Sequence, residues 1–200
     1  MKTILNLKKS IFFVTALAIM TSFTACSDDD DPKTPSVTDV YGSYKGKMSI
    51  ASALNRSTGN ENPGAIDVTA IVKNDTIHFD NFPIESIVVA IEGQENATTI
   101  IEKMDKVDFK VGYESKLNQA QDSIDLTLDP KPMEFTYKVG DGDNEEEKNV
   151  KVSIVIPENE KSAYSDKILR FNLVATEIIV NDEAVTTFDE FYYDFYLNKQ

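Results

Sequence analysis

One residue of this chain lies in a context that specifies a covalent modification, and that residue is Cys26, the only cysteine. The small residues Thr24 and Ala25 stand directly before it, and an uncharged apolar stretch, residues 11–20, precedes them. Lysines ahead of the stretch complete the pattern of a secretory leader. The stretch is shorter than the roughly 20 apolar residues that a membrane-spanning helix needs. The sequence therefore predicts a leader over residues 1–25 that is removed at Cys26.

The segment around Cys26 resembles the lipobox of bacterial lipoproteins, although Phe23 stands where leucine is commoner. In such proteins the thiol receives a diacylglycerol, and the new amine is usually acylated as well, with chains such as palmitate. Two or more chains anchor a protein stably, because each buried methylene contributes about 0.8 kcal/mol. We therefore predict that Cys26 is lipidated and holds the protein on a membrane. The alternative is ordinary secretion, with Cys26 left as a free thiol or as one half of an intermolecular disulfide.

Acidic residues follow the cysteine immediately. The arrangement resembles the surface-export signal of Bacteroidota lipoproteins, in which carboxylates come directly after the lipidated residue. The resemblance implies a lipid-anchored protein of the cell outer membrane that faces the exterior. A solvated acidic spacer is the alternative interpretation. The segment consists of Ser27, Asp28, Asp29, Asp30 and Asp31.

Residues typical of enzyme active sites are few in this chain. His78 is the only histidine, and it lies close in sequence to Asp80 and Ser86. A Ser-His-Asp site needs a strained nucleophile turn and an oxyanion hole, and the chain has no Gly-x-Ser-x-Gly. A zinc site is poorly supported by one histidine and a cysteine committed to lipid. We interpret His78 as an ordinary strand residue, and we expect no catalytic residue, no metal ion and no cofactor.

Carboxylates are abundant, with 34 Asp and Glu residues in the chain. The segment 141–147 looks superficially like a calcium loop, but Glu146 stands where such a loop has its glycine. A solvated hairpin tip is the favoured interpretation. Paired carboxylates would suit a glycan-processing hydrolase, and this function stays open as an alternative because the sequence selects no particular pair.

Aromatic residues near the C-terminus alternate between the two faces of a predicted strand. Phe191, Tyr193 and Phe195 share one face, which we expect in the core. Tyr192 and Tyr196 share the other face, and we predict that they form an exposed pair that binds a partner. The alternative is that these two side chains only cover a partly buried surface.

Two three-residue motifs resemble the O-glycosylation signal of exported Bacteroidota proteins, which is Asp, then Ser or Thr, then an apolar residue. They place the candidate acceptors at Thr76 and Ser123. Such short motifs also arise by chance in strands, so both interpretations stay open.

The charge balance restricts the partners. The chain carries 20 Lys and Arg against 34 Asp and Glu, a net charge of −14. Removing Lys2, Lys8 and Lys9 with the leader leaves 17 against 34, a net charge of −17. A protein of that sign repels phosphate backbones, so we expect no nucleic-acid partner.

A mostly β domain must position these groups. From Tyr41 onward, apolar and polar residues alternate along one segment after another, as in half-buried strands. Residues 83–104 break the pattern, because Pro83 opens and Gly93 interrupts apolar residues at helical spacing. The chain is thus predicted to be mainly β, an antiparallel β-barrel or sandwich with one or two short inserted helices. The predicted organisation is leader 1–25, lipidated cysteine and acidic linker 26–40, and one domain 41–200.

Three segments carry a family resemblance: Tyr41–Gly46, Asn74–Pro83 and Asp129–Pro132. On these residues the chain resembles the Bacteroidota lipoprotein family called domain of unknown function 4840. Its opening Tyr-Gly segment is also similar to calycin-like lipoprotein barrels. The resemblance implies a compact β domain at the cell envelope and carries over no catalytic residue.

The combined expectation is a non-catalytic binding or accessory lipoprotein, with a glycan-processing hydrolase and a structural component of an envelope complex as alternatives. Its partners would be the membrane, through the lipid anchor, and an envelope protein, a glycan or a small apolar ligand. An apolar ligand would suit a barrel with an open mouth.

Overall fold

Eleven strands and two helices make up the part of the chain that the computed structural model describes, which is residues 34–53, 64–140 and 142–200. The helices are α1 (Glu85–Glu92) and α2 (Gln94–Lys103), and short 3-10 turns lie at Val37–Val40 and Gly142–Asn144. The strands are β1 (Gly42–Ser52), β2 (Ile66–Lys73), β3 (Thr76–Phe79), β4 (Phe109–Leu117), β5 (Ile124–Pro130), β6 (Met133–Val139), β7 (Glu146–Val155), β8 (Ser162–Ser165), β9 (Ile168–Val180), β10 (Glu183–Ala184) and β11 (Phe191–Lys199).

Eight of these strands close into an antiparallel barrel. Their order around the ring is β11, β1, β2, β3, β4, β5, β8, β9, and β9 pairs with β11 to complete it. The prediction of a mainly β fold with two short helices is therefore confirmed, and of the two architectures the barrel is the one formed. Closure pairs both edges of every strand in the ring, which removes the exposed edges that apolar strands would otherwise present.

The remaining strands extend β9 beyond the ring. The second half of β9 pairs with β7 along one edge and with the two-residue β10 along the other edge. Strand β7 in turn pairs with β6. The sequence pattern does not separate β8 from its polar surroundings, because this strand is only four residues long.

Helices α1 and α2 connect β3 to β4, and the Tyr137 hydroxyl of β6 donates a hydrogen bond of 2.7 Å to Glu92 Oε1 of α1. The β6–β7 hairpin is thus bound to the helices through its inward face.

Aromatic side chains fill the barrel. Phe171 and Phe195 stack with their ring centroids 4.3 Å apart, and Phe79 lies 5.3 Å from Phe195. Phe82, just before α1, packs edge-on against Tyr193 at 5.6 Å. All five side chains are buried. The interior of the barrel is therefore a packed core built from large rings.

The N-terminal segment that precedes β1 covers one end of the barrel; we call residues 36–41 the plug. Its 3-10 turn begins at Ser36, whose hydroxyl accepts from Thr38 N while Asp39 Oδ2 accepts from Ser36 N. Val40 is fully buried, and its carbonyl accepts a 2.6 Å hydrogen bond from the Tyr44 hydroxyl. The compact unit accordingly begins at Thr34, so residues that composition placed in the linker pack on the barrel.

Two contacts hold the plug to two separate parts of the barrel rim. The Tyr41 hydroxyl donates to Asp75 Oδ1 in the β2–β3 turn at 2.7 Å, and Lys199 Nζ of β11 donates to Asp39 O at 2.6 Å. The plug therefore crosses the barrel end from the β11 side to the β2–β3 side. Within the described ranges, no helix has the length and apolar character that crossing a membrane requires.

The buried tyrosines beneath the plug make a matched pair for measuring its contribution to stability. Tyr44→Phe removes the donor to the buried Val40 carbonyl, so the free energy of unfolding should fall by about 1–3 kcal/mol. Tyr113→Phe deletes a buried hydroxyl that has no partner among the described residues, so stability should stay the same or rise. Urea unfolding of the two variants measures the difference. Equal losses in both would show that the Tyr44 bond does not hold the plug.

Candidate functional site

The residues with the clearest chemical prediction lie outside the described ranges. Cys26, Ser27 and the acidic run Asp28–Asp31 all precede residue 34, as does the leader over residues 1–25. Lipidation and surface export therefore stay predictions.

The strand β11 presents its two outward tyrosines on the barrel exterior. Tyr193 and Phe195 are buried in the core, so Tyr192 and Tyr196 point to the opposite side, as predicted. The two outward rings are four residues apart along the strand, about 13 Å at the usual rise per residue. With Lys47 and Arg170 on the neighbouring strands they form a surface that we call the tyrosine face.

Tyr196 is the exposed centre of the tyrosine face, with 43% of its surface accessible. It pairs across the sheet with Lys47 of β1 on one side and with Arg170 of β9 on the other. The Arg170 guanidinium carbon lies 4.7 Å from the centroid of the Tyr196 ring, a cation–π contact worth about 0.5–1 kcal/mol at an exposed position. Lys47 is held by an ion pair of 2.9 Å with Asp67. The Tyr196 ring therefore has a basic residue on each neighbouring strand, and Arg170 is the one that contacts it.

Tyr192 is in a different environment from Tyr196. Its cross-strand neighbours are Ala51 and Val174, which are both buried although their strand positions face outward. The Tyr192 ring is half-buried, and its hydroxyl donates to Glu190 Oε2 at 3.1 Å. Tyr192 thus partly fits the alternative of a covering side chain, and Tyr196 is the better candidate for binding.

The structure separates the residues that could have formed a Ser-His-Asp site. His78 lies on β3 at an outward position and lines a surface depression of about 290 Å³ together with Asp80. The Ser86 hydroxyl is instead buried, and neither it nor the Tyr193 hydroxyl has a partner in hydrogen-bond geometry among the described residues. Burial raises the pKa of Tyr193, and Ser86 acts in the opposite direction, so these two hydroxyls are neighbours in the core. His78 and Ser86 therefore do not form a catalytic pair.

His78 instead belongs to a group of basic residues on the outer face of β1 to β4, a group that the sequence analysis missed. We call Lys45, Lys73, Lys110 and His78 the lysine patch. His78 pairs with Lys110 of β4 on one side and with Ile71 of β2 on the other. The position of each lysine in its strand fixes its outward direction, but only the strand order shows that the lysines are neighbours.

The other sequence-predicted positions are scattered. Thr76 begins β3 and donates its hydroxyl to Asn74 O at 3.2 Å, while Ser123 lies just before β5, half-buried in a turn closed by Asn118. Neither placement tests O-glycosylation. The loop resembling a calcium site contributes Glu145 to an ion pair of 2.8 Å with Lys138. In the part of the chain that the structure describes, no group of three His, Cys, Asp or Glu residues is arranged to hold a metal ion.

A second depression, of about 1020 Å³, lies on the outward face of β6, β7 and β9. Its polar lining includes Asn149 and Asn181, which are joined by a 2.9 Å hydrogen bond from Asn149 N to Asn181 Oδ1. Lys151 on the same surface pairs with Glu134 at 3.2 Å. Four of the polar lining residues are thus bonded to one another in pairs, and the lining singles out no ligand.

The pKa of His78, the only histidine, reports the potential of the lysine patch. Partial burial lowers this pKa below its ordinary value of 6.5, Lys73 and Lys110 lower it further, and Asp80 opposes them. Proton NMR titration should therefore give a value below 6.5, which Lys110→Gln raises and Asp80→Asn lowers. Because the unfolded chain binds this proton more tightly, the contribution to stability is present above pH 6.5 and is lost as the pH falls towards the folded pKa. A pKa that does not respond to Lys110→Gln would contradict this arrangement, and Lys138→Gln is the distant control.

Comparison with known proteins identifies a family and nothing more specific. No curated protein and no solved structure gave a match to the chain. A family model described as Domain of unknown function (DUF4840) matches residues 39–180. The match runs from the plug to the end of β9, and β11 lies beyond it. Because it covers more than half of the sequence, the chain belongs to the DUF4840 family.

Proposed function

We propose that this protein is a surface-exposed outer-membrane lipoprotein, anchored through Cys26, whose domain is a non-catalytic module that binds an envelope protein through the tyrosine face. The anchor is supported by the leader, the lipobox-like residues Thr24 and Ala25, and the single cysteine directly after them. The acidic run after Cys26 supports display on the cell exterior. The tyrosine face supports the binding role.

The observation that carries the binding role is the exposed Tyr196 with Arg170 against its ring. Tyrosine and arginine are the residues most enriched, with tryptophan, among those that dominate protein–protein affinity. A ring already ordered by a cation loses less conformational entropy when a partner covers it. The tyrosine face therefore has the composition and the preorganisation of a protein contact surface.

The packed interior supports a partner on the outside of the barrel. Phe79, Phe171 and Phe195 occupy the centre, and buried Val40 of the plug covers one end. A small apolar ligand would have to displace these side chains. A glycan is the main competitor for the tyrosine face, because a sugar ring can also lie on an exposed aromatic surface.

Lipid anchoring is tested by Cys26→Ala. The wild-type protein should sediment with the outer membrane and partition into detergent, because two or more acyl chains hold it there. The variant should keep its leader or be released in soluble form. Proteolysis of intact cells then tests display, and replacing Asp28–Asp31 by asparagine should protect the protein from the protease. Unchanged fractionation of Cys26→Ala would contradict the anchor.

Binding is tested by purifying the protein, after crosslinking in intact cells, as wild type, Tyr196→Ala and the control Thr127→Ala. Thr127 is exposed on the outer face of β5, so its truncation matches Tyr196→Ala in exposure and strand context. A partner bound through Tyr196 should be recovered with wild type and control, and its affinity for Tyr196→Ala should fall roughly 30-fold. Equal recovery with all three proteins would exclude the tyrosine face. Retention of purified cell-surface glycans instead of a protein would assign the face to a glycan.

A further inference from the structure

The lysine patch is a second surface, separate from the proposed protein contact at the tyrosine face. We propose that Lys45, Lys73 and Lys110 dock onto the phosphate groups of lipid headgroups, so that the outer face of β1–β4 lies against the membrane that holds the anchor. The inference rests on the proposed lipid anchor for its setting. It adds the orientation of the domain and the chemistry of its contact with the membrane.

The register of four adjacent strands places the cations on one surface. His78 of β3 pairs with Ile71 and with Lys110, so these three residues form a row across β2, β3 and β4. Neighbouring strands are about 4.8 Å apart, which puts Ile71 and Lys110 roughly 10 Å from each other at the backbone. Lys73 follows two residues after Ile71 on the same face, and Lys45 pairs with Thr69 on the adjoining strand. A surface of this width can contact several headgroups.

The three lysines are uncommitted within the described residues. Lys45, Lys73 and Lys110 form no ion pair there, whereas five other lysines are paired with carboxylates: Lys47, Lys131, Lys138, Lys148 and Lys151. The chain as a whole carries a net charge of −14, so unpaired ammonium groups gathered on one face oppose its general field. Free cations of this kind are available to phosphate oxygens.

Carboxylates also lie near the patch, and two of them are bonded within the protein. Asp67 is paired with Lys47, and Asp75 accepts the Tyr41 hydroxyl. Asp80 lines the same depression as His78 and partly offsets the lysines. Asp108, exposed two residues before Lys110, is a further carboxylate near the patch. At His78, Lys73 and Lys110 oppose protonation more strongly than Asp80 favours it, so the potential at the centre of the patch is positive.

The uncharged residues of the same face suit a lipid interface. Ile71 lies among the cations with 39% of its surface exposed. Ser43 and Thr69 line the depression beside it, and their hydroxyls can donate to phosphate. An exposed aliphatic side chain surrounded by hydroxyls and ammonium groups matches the boundary between headgroups and acyl chains.

The tether keeps this face close to the membrane. The Tyr41–Asp75 hydrogen bond fixes the N-terminal segment to the β2–β3 turn, and Lys73 ends the strand that leads into that turn. Only eight peptide steps separate Cys26 from Thr34, where the compact unit begins, and they reach at most about 28 Å. Lys73 and the plug, with which the described chain begins, are therefore at the same end of the barrel. Each lysine within a Debye length of an anionic surface then adds to the attraction.

The test measures which side of the acylated protein touches a vesicle. A fluorophore is attached to a thiol introduced by Thr69→Cys in the patch or by Thr136→Cys on exposed β6, with Cys26 occupied by its acyl chain. Vesicles contain phosphatidylcholine with or without phosphatidylglycerol, and a quencher is carried on the headgroups. The Thr69 probe should be quenched in phosphatidylglycerol vesicles and less so in phosphatidylcholine or at high salt, while the Thr136 probe stays bright.

Matched charge variants show whether the lysines cause the docking. The triple variant Lys45→Gln, Lys73→Gln, Lys110→Gln should lower the ratio of docked to undocked molecules roughly 100-fold. The control triple Lys138→Gln, Lys151→Gln, Lys161→Gln removes the same charge from other surfaces and should leave the ratio unchanged. Circular dichroism and thermal unfolding confirm that both variants are folded.

Equal quenching of the two probes, or equal docking by the two triple variants, would overturn the proposal. Failure of the anchor is a separate result, seen as loss of the protein from the vesicles. In that case the chain beginning at residue 26 is held on a nickel-chelating lipid by an N-terminal histidine tag, with Cys26→Ser. The same quenching comparison then decides the docking without the natural anchor.

Discussion

The barrel depends on the pairing of β11 with β1 along one edge and with β9 along the other. This double pairing turns an open sheet into a ring, and without it β1 would have an unpaired edge along its whole length. It also carries Tyr193 and Phe195 into the centre, where they pack against Phe82 and Phe171. The strand β11 thus closes the ring and also supplies side chains to the core. That strand lies outside the range that matches the family model.

Much of this fold could be predicted, because alternation and turn residues are local signals. The pairs Asn74-Asp75 and Asn181-Asp182 are of residue types typical of tight turns, and all four residues adopt positive φ, as tight hairpins require. Asp166-Lys167 makes a similar turn between β8 and β9, but Lys167 gives no comparable signal, and the short β8 was missed with it. The choice between barrel and sandwich depends on which distant strands pair. Strand periodicity does not contain that information.

Some features of the candidate surfaces could likewise be predicted from the sequence, and others depend on long-range strand pairing. The outward direction of Tyr196 follows from its position in β11, and the sequence was sufficient to predict it. Its contact with Arg170 depends on the register of β11 against β9, which is a long-range property. The grouping of Lys45, Lys73 and Lys110 likewise depends on the order of β1 to β4. Local pattern therefore predicts which side chains are exposed, and topology decides which of them act together.

The two proposed surfaces are compatible because they share β1. Lys45 on this strand belongs to the lysine patch, and Lys47, two residues further on, borders Tyr196 of the tyrosine face. The two faces are therefore adjacent sides of the barrel, one on β1 to β4 and the other on β1, β11 and β9. If the lysine patch lies against the membrane, the tyrosine face points parallel to the membrane plane, towards neighbouring envelope proteins. Docking by the lysines would thus reduce the orientations that Tyr196 has to sample before it meets a partner, which lowers the entropic cost of binding.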